Sequence, residues 1–179
     1  MEPDGSPSHG SPHKTEHKNT RREARELVLR MLFQVDVGKQ PMDEVIEAAL
    51  AQSVLEGANR QYAEAVVRGT LENKNQIDEQ LEQLASDWSV ERQAVVDRNI
   101  LRLTTYEILY RPDTPVAAVI NEAVELAKKY STAESGRFVN GVLGALARSV
   151  PRGQDSSDCE NADELAQESP AEEDRSPDF

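Results

Sequence analysis

Cysteine occurs once in the 179 residues, at Cys159, and histidine three times, at His9, His13 and His17. All four lie in or beside stretches too polar to build a core, so residues 20–150 contain neither thiol nor imidazole. That absence excludes Ser-His-Asp and Cys-His nucleophile systems, a disulfide framework, and cysteine or histidine metal sites there. The four-residue spacing of the histidines would suit a metal on a helix, but their Pro, Ser and Gly surroundings read as a solvated tail. No Walker loop or GxGxxG phosphate cradle occurs. Carboxylates such as Glu122 and Glu125 fall on amphipathic patterns, where water or helix caps satisfy them. No catalytic residue, cofactor or metal is therefore expected. Long apolar runs are lacking too: none approaches the roughly 18 residues of a membrane span, and the N-terminus has no apolar secretion signal. The expectation is a soluble cytoplasmic protein that is not an enzyme.

Acids outnumber bases by 33 to 20, a formal net charge of -13, but its distribution matters more than its size. Residues 152–179 hold ten acids against two arginines, a balance of -8, and residues 1–13 add -2, leaving only -3 on the remainder. Both flanks lack the apolar content to bury a core and are expected to be disordered. The chain divides into an N-terminal tail over 1–19, one domain over 20–150, and an acidic C-terminal tail over 151–179. The domain is near neutral, so the strongly negative overall charge says little about what it binds.

Within 20–150 there are three prolines, Pro41, Pro112 and Pro115, each placed where a helix would begin or end. Apolar residues repeat at three and four. Thr20 and Glu23 form a capping box for a first helix whose stripe is Ala24, Leu27, Val28, Met31, Leu32 and Val35, with Gly38 as its stop. A second helix runs from Pro41 to near Gly57, and a third from about Asn59 to Leu84 with a bend at Asn73–Asn75. After a turn around SDWSVER, a helix starts near Asp97 and ends at Tyr110. The next is capped by Thr114 with Pro115 at its first position and Lys128 and Lys129 in its last turn; a final helix spans Glu134–Val150. No alternating run argues for a strand. Six or seven helices over this length make an all-α bundle. Within the last helix, GVLG at 141–144 matches the letters of a backbone-clamping loop, yet a helical context favours small residues for close helix packing.

The stretch TRREARELVLRMLFQVD, residues 20–36, places Arg21, Arg22 and Arg25 where the helix dipole is positive. Cations there cost a few tenths of a kcal/mol each, so a reason other than helix stability is required. At about 100° per residue, Arg21, Arg22, Arg25 and Leu29 fall on one flank of the stripe. Phe33 points almost opposite the core, and Glu26 and Arg30 form a favourable i,i+4 pair on the far flank. An outward aromatic beside guanidinium groups suits single-stranded RNA: arginines neutralise phosphates and the ring receives an unstacked base at about 1–3 kcal/mol. A solvated arginine face with Phe33 packed beneath a neighbour is an equally good reading of this helix alone. Arg137, Phe138 and Asn140 in GRFVNGVLG repeat the combination of cation, aromatic and amide, although Phe138 would serve equally as core.

RREARELVLRMLFQVD, NILRLTTYEILY, TPVAAVINEAVELAKKYS and RFVNGVLG, taken in this order and spacing over about residues 20–150, resemble the bacterial NusB transcription antitermination family. The resemblance implies an all-α fold of two small helical sub-bundles. It implies binding to the boxA element of ribosomal RNA leader transcripts together with NusE, a small-subunit ribosomal protein, in a complex that helps RNA polymerase read through terminators. By the same resemblance Arg21, Arg22 and Arg25 correspond to an arginine-rich RNA-binding start, and Phe33 and Phe138 to aromatic positions on the RNA surface. Gln76 and Arg102 are expected near that surface, and Asp97 on the NusE side. Two residues depart from the pattern: Glu23 interrupts an often wholly basic run, and Gly144 replaces a common acid.

Two alternatives stand beside this reading. One is an RNA-binding module like that of ribosomal RNA cytosine methyltransferases, which would continue into an α/β domain where this chain has its acidic tail. The other is a protein-interaction bundle or homodimer that buries Leu29 and Phe33. The acidic tail is expected to be a solubilising appendage, or else an RNA mimic that folds back on the arginine face.

Overall fold

The computed structural model describes residues 20–84, 92–132 and 134–150. The two flanking tails, the three histidines, Cys159 and most of the SDWSVER turn lie outside the described residues. Among the described residues there are seven helices and no strand: α1 (Arg21–Gly38), α2 (Met42–Gln52), α3 (Gly57–Glu72), α4 (Lys74–Leu84), α5 (Val95–Tyr110), α6 (Val116–Tyr130) and α7 (Ser135–Ser149). None is long and apolar enough to cross a membrane.

The boundaries follow local chemistry, with small departures from expectation. The capping box of α1 is complete: Thr20 N donates to Glu23 Oε2 at 2.8 Å, and Glu23 N donates to Thr20 Oγ1 at 3.3 Å. Gly38 does not stop α1; it is the last helical residue, and Lys39 takes the left-handed conformation at φ 50°. α2 ends at Gln52, earlier than the glycine at 57, because Ser53 caps it by donating its backbone N–H and its hydroxyl to the Leu50 carbonyl. Gly57 instead opens α3 at φ 52°, a conformation glycine adopts without steric cost. The expected bend is a full break at Asn73, whose side-chain amide donates to the Gly69 carbonyl at 2.8 Å. α5 begins at Val95, so Asp97 sits in its first turn. Thr114 does not cap α6, whose N-cap is Pro115.

α1, α2 and α3 pack on one another, α4 to α7 pack on one another, and α5 touches both groups. This is the expected pair of sub-bundles, sharing one continuous core that includes Met31, Leu32, Ile46, Ile77, Ile100, Leu103 and Leu143. α1 and α5 run antiparallel, since Arg25 meets Glu107 while Asp36 meets Arg98. The start of α1 therefore lies beside the end of α5. Gly69 makes the α3–α5 approach possible: a Cβ there would overlap the Tyr106 ring.

Candidate nucleic-acid interface

The three arginines of α1 have three different fates. Arg22 is exposed and forks onto Glu122 of α6, with Nε and Nη2 at 2.9 and 2.7 Å from its two carboxylate oxygens. The same hydrogen bonds hold the Glu122 carboxyl below the ordinary carboxylate range, against the opposing effect of burial. Arg21 is also exposed, and its guanidinium carbon stands 4.1 Å from the centroid of the Tyr62 ring. Arg25 contradicts the expected solvent-facing flank: it is 5 % exposed and forks onto Glu107, with both distances 2.9 Å. Glu107 is 1 % exposed and also accepts the Tyr62 hydroxyl. Leu29, expected on the same flank, is buried as well. The reason is that α1 is packed by α2, α3 and α5, so its buried arc is wider than a single stripe.

Glu23 ceases to be discordant once its capping bonds are seen, because a first-turn acid satisfies helix N–H groups and suits the dipole. The expected Glu26–Arg30 pair does not form through side chains. Glu26 instead accepts from Lys129 Nζ at 2.6 Å and the Tyr130 hydroxyl at 2.7 Å, while Arg30 reaches only the Glu26 carbonyl. Phe33 is 40 % exposed, facing away from the core as the wheel requires, with Val37 exposed one turn on.

Among the more distant candidates, Gln76 on α4 is exposed and accepts from the Tyr110 hydroxyl at 3.1 Å, which ties it to the end of α5. Arg102 is not at the surface. It is 6 % exposed, with Nε and Nη2 at 2.6 and 2.8 Å from the Asp78 oxygens and Nη1 at 3.0 Å from Asp36 Oδ2. Asp36 also accepts from Arg98 and Asn99; burial pushes its carboxyl up, but these donors and the Arg102 charge outweigh that and hold it below its ordinary value. Asp97, expected to face a partner, is 7 % exposed and accepts from Ser135 Oγ at 2.8 Å; its Oδ1 is buried without a hydrogen bond. Its visible work is to fasten the α6–α7 connection, where Ser135 also bonds Ser131 and Thr132.

On α7, Arg137 and Asn140 are exposed, while Phe138 is half-buried against the core. The close-packing reading of GVLG is corrected. Nothing stands within 4 Å of a Cβ placed on Gly141, and the nearest group to one on Gly144 is the Arg148 guanidinium. The tight approach involves Gly136 instead, where a Cβ would lie 3.2 Å from Lys128 Cγ on α6. Through α6, then, α7 is linked to the Lys129–Glu26 contact on α1.

Sequence reasoning missed Tyr62, Glu107, Asp36 and Arg111, whose guanidinium carbon lies 5.7 Å from the Tyr62 centroid. None carries a signal in linear spacing, because each acts through a partner on another helix. The start of α1 offers the exposed guanidinium groups of Arg21 and Arg22, the first of them over the Tyr62 ring, and Phe33 farther along the helix adds an exposed phenyl ring: groups suited to phosphate neutralisation and base stacking.

The NusB family model matches residues 22–148. The chain is 41 % identical over 145 residues to the transcription antitermination protein NusB of Heliobacterium modesticaldum, covering 80 % of this chain and 70 % of that protein. It is 44 % identical over 133 residues to its counterpart in Desulfitobacterium hafniense, covering 73 % and 90 %. Among solved structures it resembles NusB of T. maritima, with TM-score 0.69 and 37 % identity over 73 % of this chain and 92 % of that one. It also resembles a chain from a complex of the antitermination factors NusB and NusE with double-stranded RNA, with TM-score 0.67 and 27 % identity over 73 % and 97 %.

Proposed function

The chain belongs to the NusB family, and from that premise we propose that it is a transcription antitermination factor. It binds boxA RNA of ribosomal RNA leader transcripts together with NusE, and so helps RNA polymerase read through terminators. The observation that carries the RNA reading is the pair of exposed, prepositioned guanidinium groups of Arg21 and Arg22, set at the start of α1 against its dipole. The complex of a similar protein with NusE and RNA supports the choice of partners.

In this proposal Arg21 and Arg22 contact phosphates, Phe33 stacks a base, and Gln76, Arg137 and Asn140 add polar contacts at the edges. Phe138 contributes from its half-buried seat. Arg25 and Arg102 act as positioning residues, since each is itself interior and already forked, Arg25 by buried Glu107 and Arg102 by part-buried Asp78. Asp97 shapes the NusE side through the turn it fastens at Ser135. The protein works in the cytoplasm and carries no catalytic activity of its own.

Titration of labelled boxA RNA with the full chain and NusE tests the reading. Arg21→Ala with Arg22→Ala should weaken binding at least tenfold while leaving NusE association intact; unchanged RNA affinity would overturn the role given to α1. A second reading, in which the Phe33 and Val37 face pairs with another protein or copy, is favoured by their exposure one turn apart. Light scattering with and without RNA separates the two.

A further inference from the structure

We propose that Arg111, at the end of α5, is a further phosphate-contacting residue of the RNA surface, brought beside Arg21 by the ring of Tyr62. The inference rests on the reading of the α1 start as an RNA surface. It adds a residue that sequence spacing could not place there.

Arg111 is the C-cap of α5, fixed by its backbone N–H to the Glu107 carbonyl at 3.0 Å. Because α5 runs antiparallel to α1, this end of α5 meets the first turn of α1. Both guanidinium groups reach the same ring, Arg21 at 4.1 Å and Arg111 at 5.7 Å from the Tyr62 centroid. The ring is a fixed post: Tyr62 is 5 % exposed and its hydroxyl is held by buried Glu107. Attraction of each cation to the ring offsets the cost of holding two like charges close together.

What distinguishes Arg111 from Arg25, the third cation at this ring, is its acid partner. Arg25 is forked by a carboxylate that is itself buried. Arg111 makes one bond, from Nε to Asp113 Oδ1 at 3.3 Å, and that carboxylate is 63 % exposed. The terminal nitrogens of Arg111 have no partner among the described residues, and a solvated, singly bonded carboxylate exchanges readily for a doubly bonded phosphate. Asp113 also reports on the local field. Its hydrogen bond from Arg111 first, and the charge of Arg21 among the lesser causes, hold its carboxyl below the usual range. An anion that displaces the Asp113 carboxylate from Arg111 would take over that hydrogen bond, with Arg21 a weaker, more distant charge. The phosphate-facing set becomes Arg21, Arg22 and Arg111, with Arg25 removed to the interior.

The test is a salt series of boxA RNA titrations between 50 and 200 mM, using the full chain with NusE. Arg111→Gln keeps much of the stem against the ring and removes the charge. It should flatten the log-log slope by about 0.7 and weaken binding about fivefold at 100 mM salt. Arg111→Lys should restore most of the slope, because an ammonium still neutralises a phosphate; a merely structural Arg111 would show no such rescue. Thermal unfolding of the Gln variant should match the parent chain. If Arg111→Gln keeps the parent slope and affinity while Arg21→Ala flattens the slope, this assignment is wrong and the RNA surface stands. If both variants bind as the parent does, the RNA surface itself falls, and Arg111 with it.

Discussion

Arginine at five positions shows how one side chain takes different roles according to its partner's burial. Arg21 and Arg22 are exposed, Arg111 is partly so, and Arg25 and Arg102 are interior. For Arg25 the consequence is energetic: Glu107→Ala would leave a guanidinium buried without its fork. The expected loss is about 3–5 kcal/mol of unfolding free energy, measured by urea denaturation. A similar loss in RNA affinity without loss of stability would contradict the positioning role. Asp36 supplies a pH signature. Its folded pKa lies below the unfolded value, so the stability it contributes is present above about pH 4 and is lost as pH falls through the lower folded value. Asp36→Asn should cost about 2 kcal/mol at neutral pH and make the acid-side decline in stability shallower. Equal acid slopes in the two proteins would remove Asp36 from that role.

Helices were legible where their signals are local and obscure where the signal comes from a neighbour. The Thr20–Glu23 box, the apolar stripe of α1 and the terminal lysines of α6 are all local, and all three stand where the pattern puts them. The glycines of GVLG were misread because a small residue in a helix shows nothing about which face meets another helix. Gly69, in the last turn of α3, is the one whose missing Cβ admits the Tyr106 ring. Gly69→Ala should therefore destabilise the α3–α5 contact by about 1–3 kcal/mol. Gly141→Ala, with open space around its Cβ, should be neutral or stabilising by up to about 1 kcal/mol. Melting curves of the two variants decide this, and a reversed order would refute the packing account.

At the scale of the molecule, α5 joins the two sub-bundles and carries much of what ties the candidate site together. Glu107 holds Arg25 and Tyr62, Arg102 and Asn99 hold Asp36, and Arg111 reaches the Tyr62 ring that Arg21 of α1 also covers. The surface so formed predicts an electrolyte dependence for the whole protein. Three phosphate contacts on a single strand give a log-log slope near about -2, and so roughly a twentyfold loss of affinity between 50 and 200 mM salt. A slope near zero in the titration with NusE would mean that RNA is held without these arginines. The overall charge of -13 does not oppose such binding, because most of it lies outside residues 20–150.

The sequence by itself determined the helical class, the number of helices to within one, the capped start of α1, the outward direction of Phe33 and the family. These depend on periodicity, caps and motif order, which are written along one chain. Only the tertiary structure decided which arginines remain at the surface. The flank of α1 that holds Arg25 and Leu29 is buried because α3 and α5 close over it, and no single-helix wheel contains those neighbours. The same holds for the approach of Arg21 and Arg111 to one ring, that of Tyr62. Two charges far apart in sequence converge because antiparallel packing brings the end of one helix to the start of another.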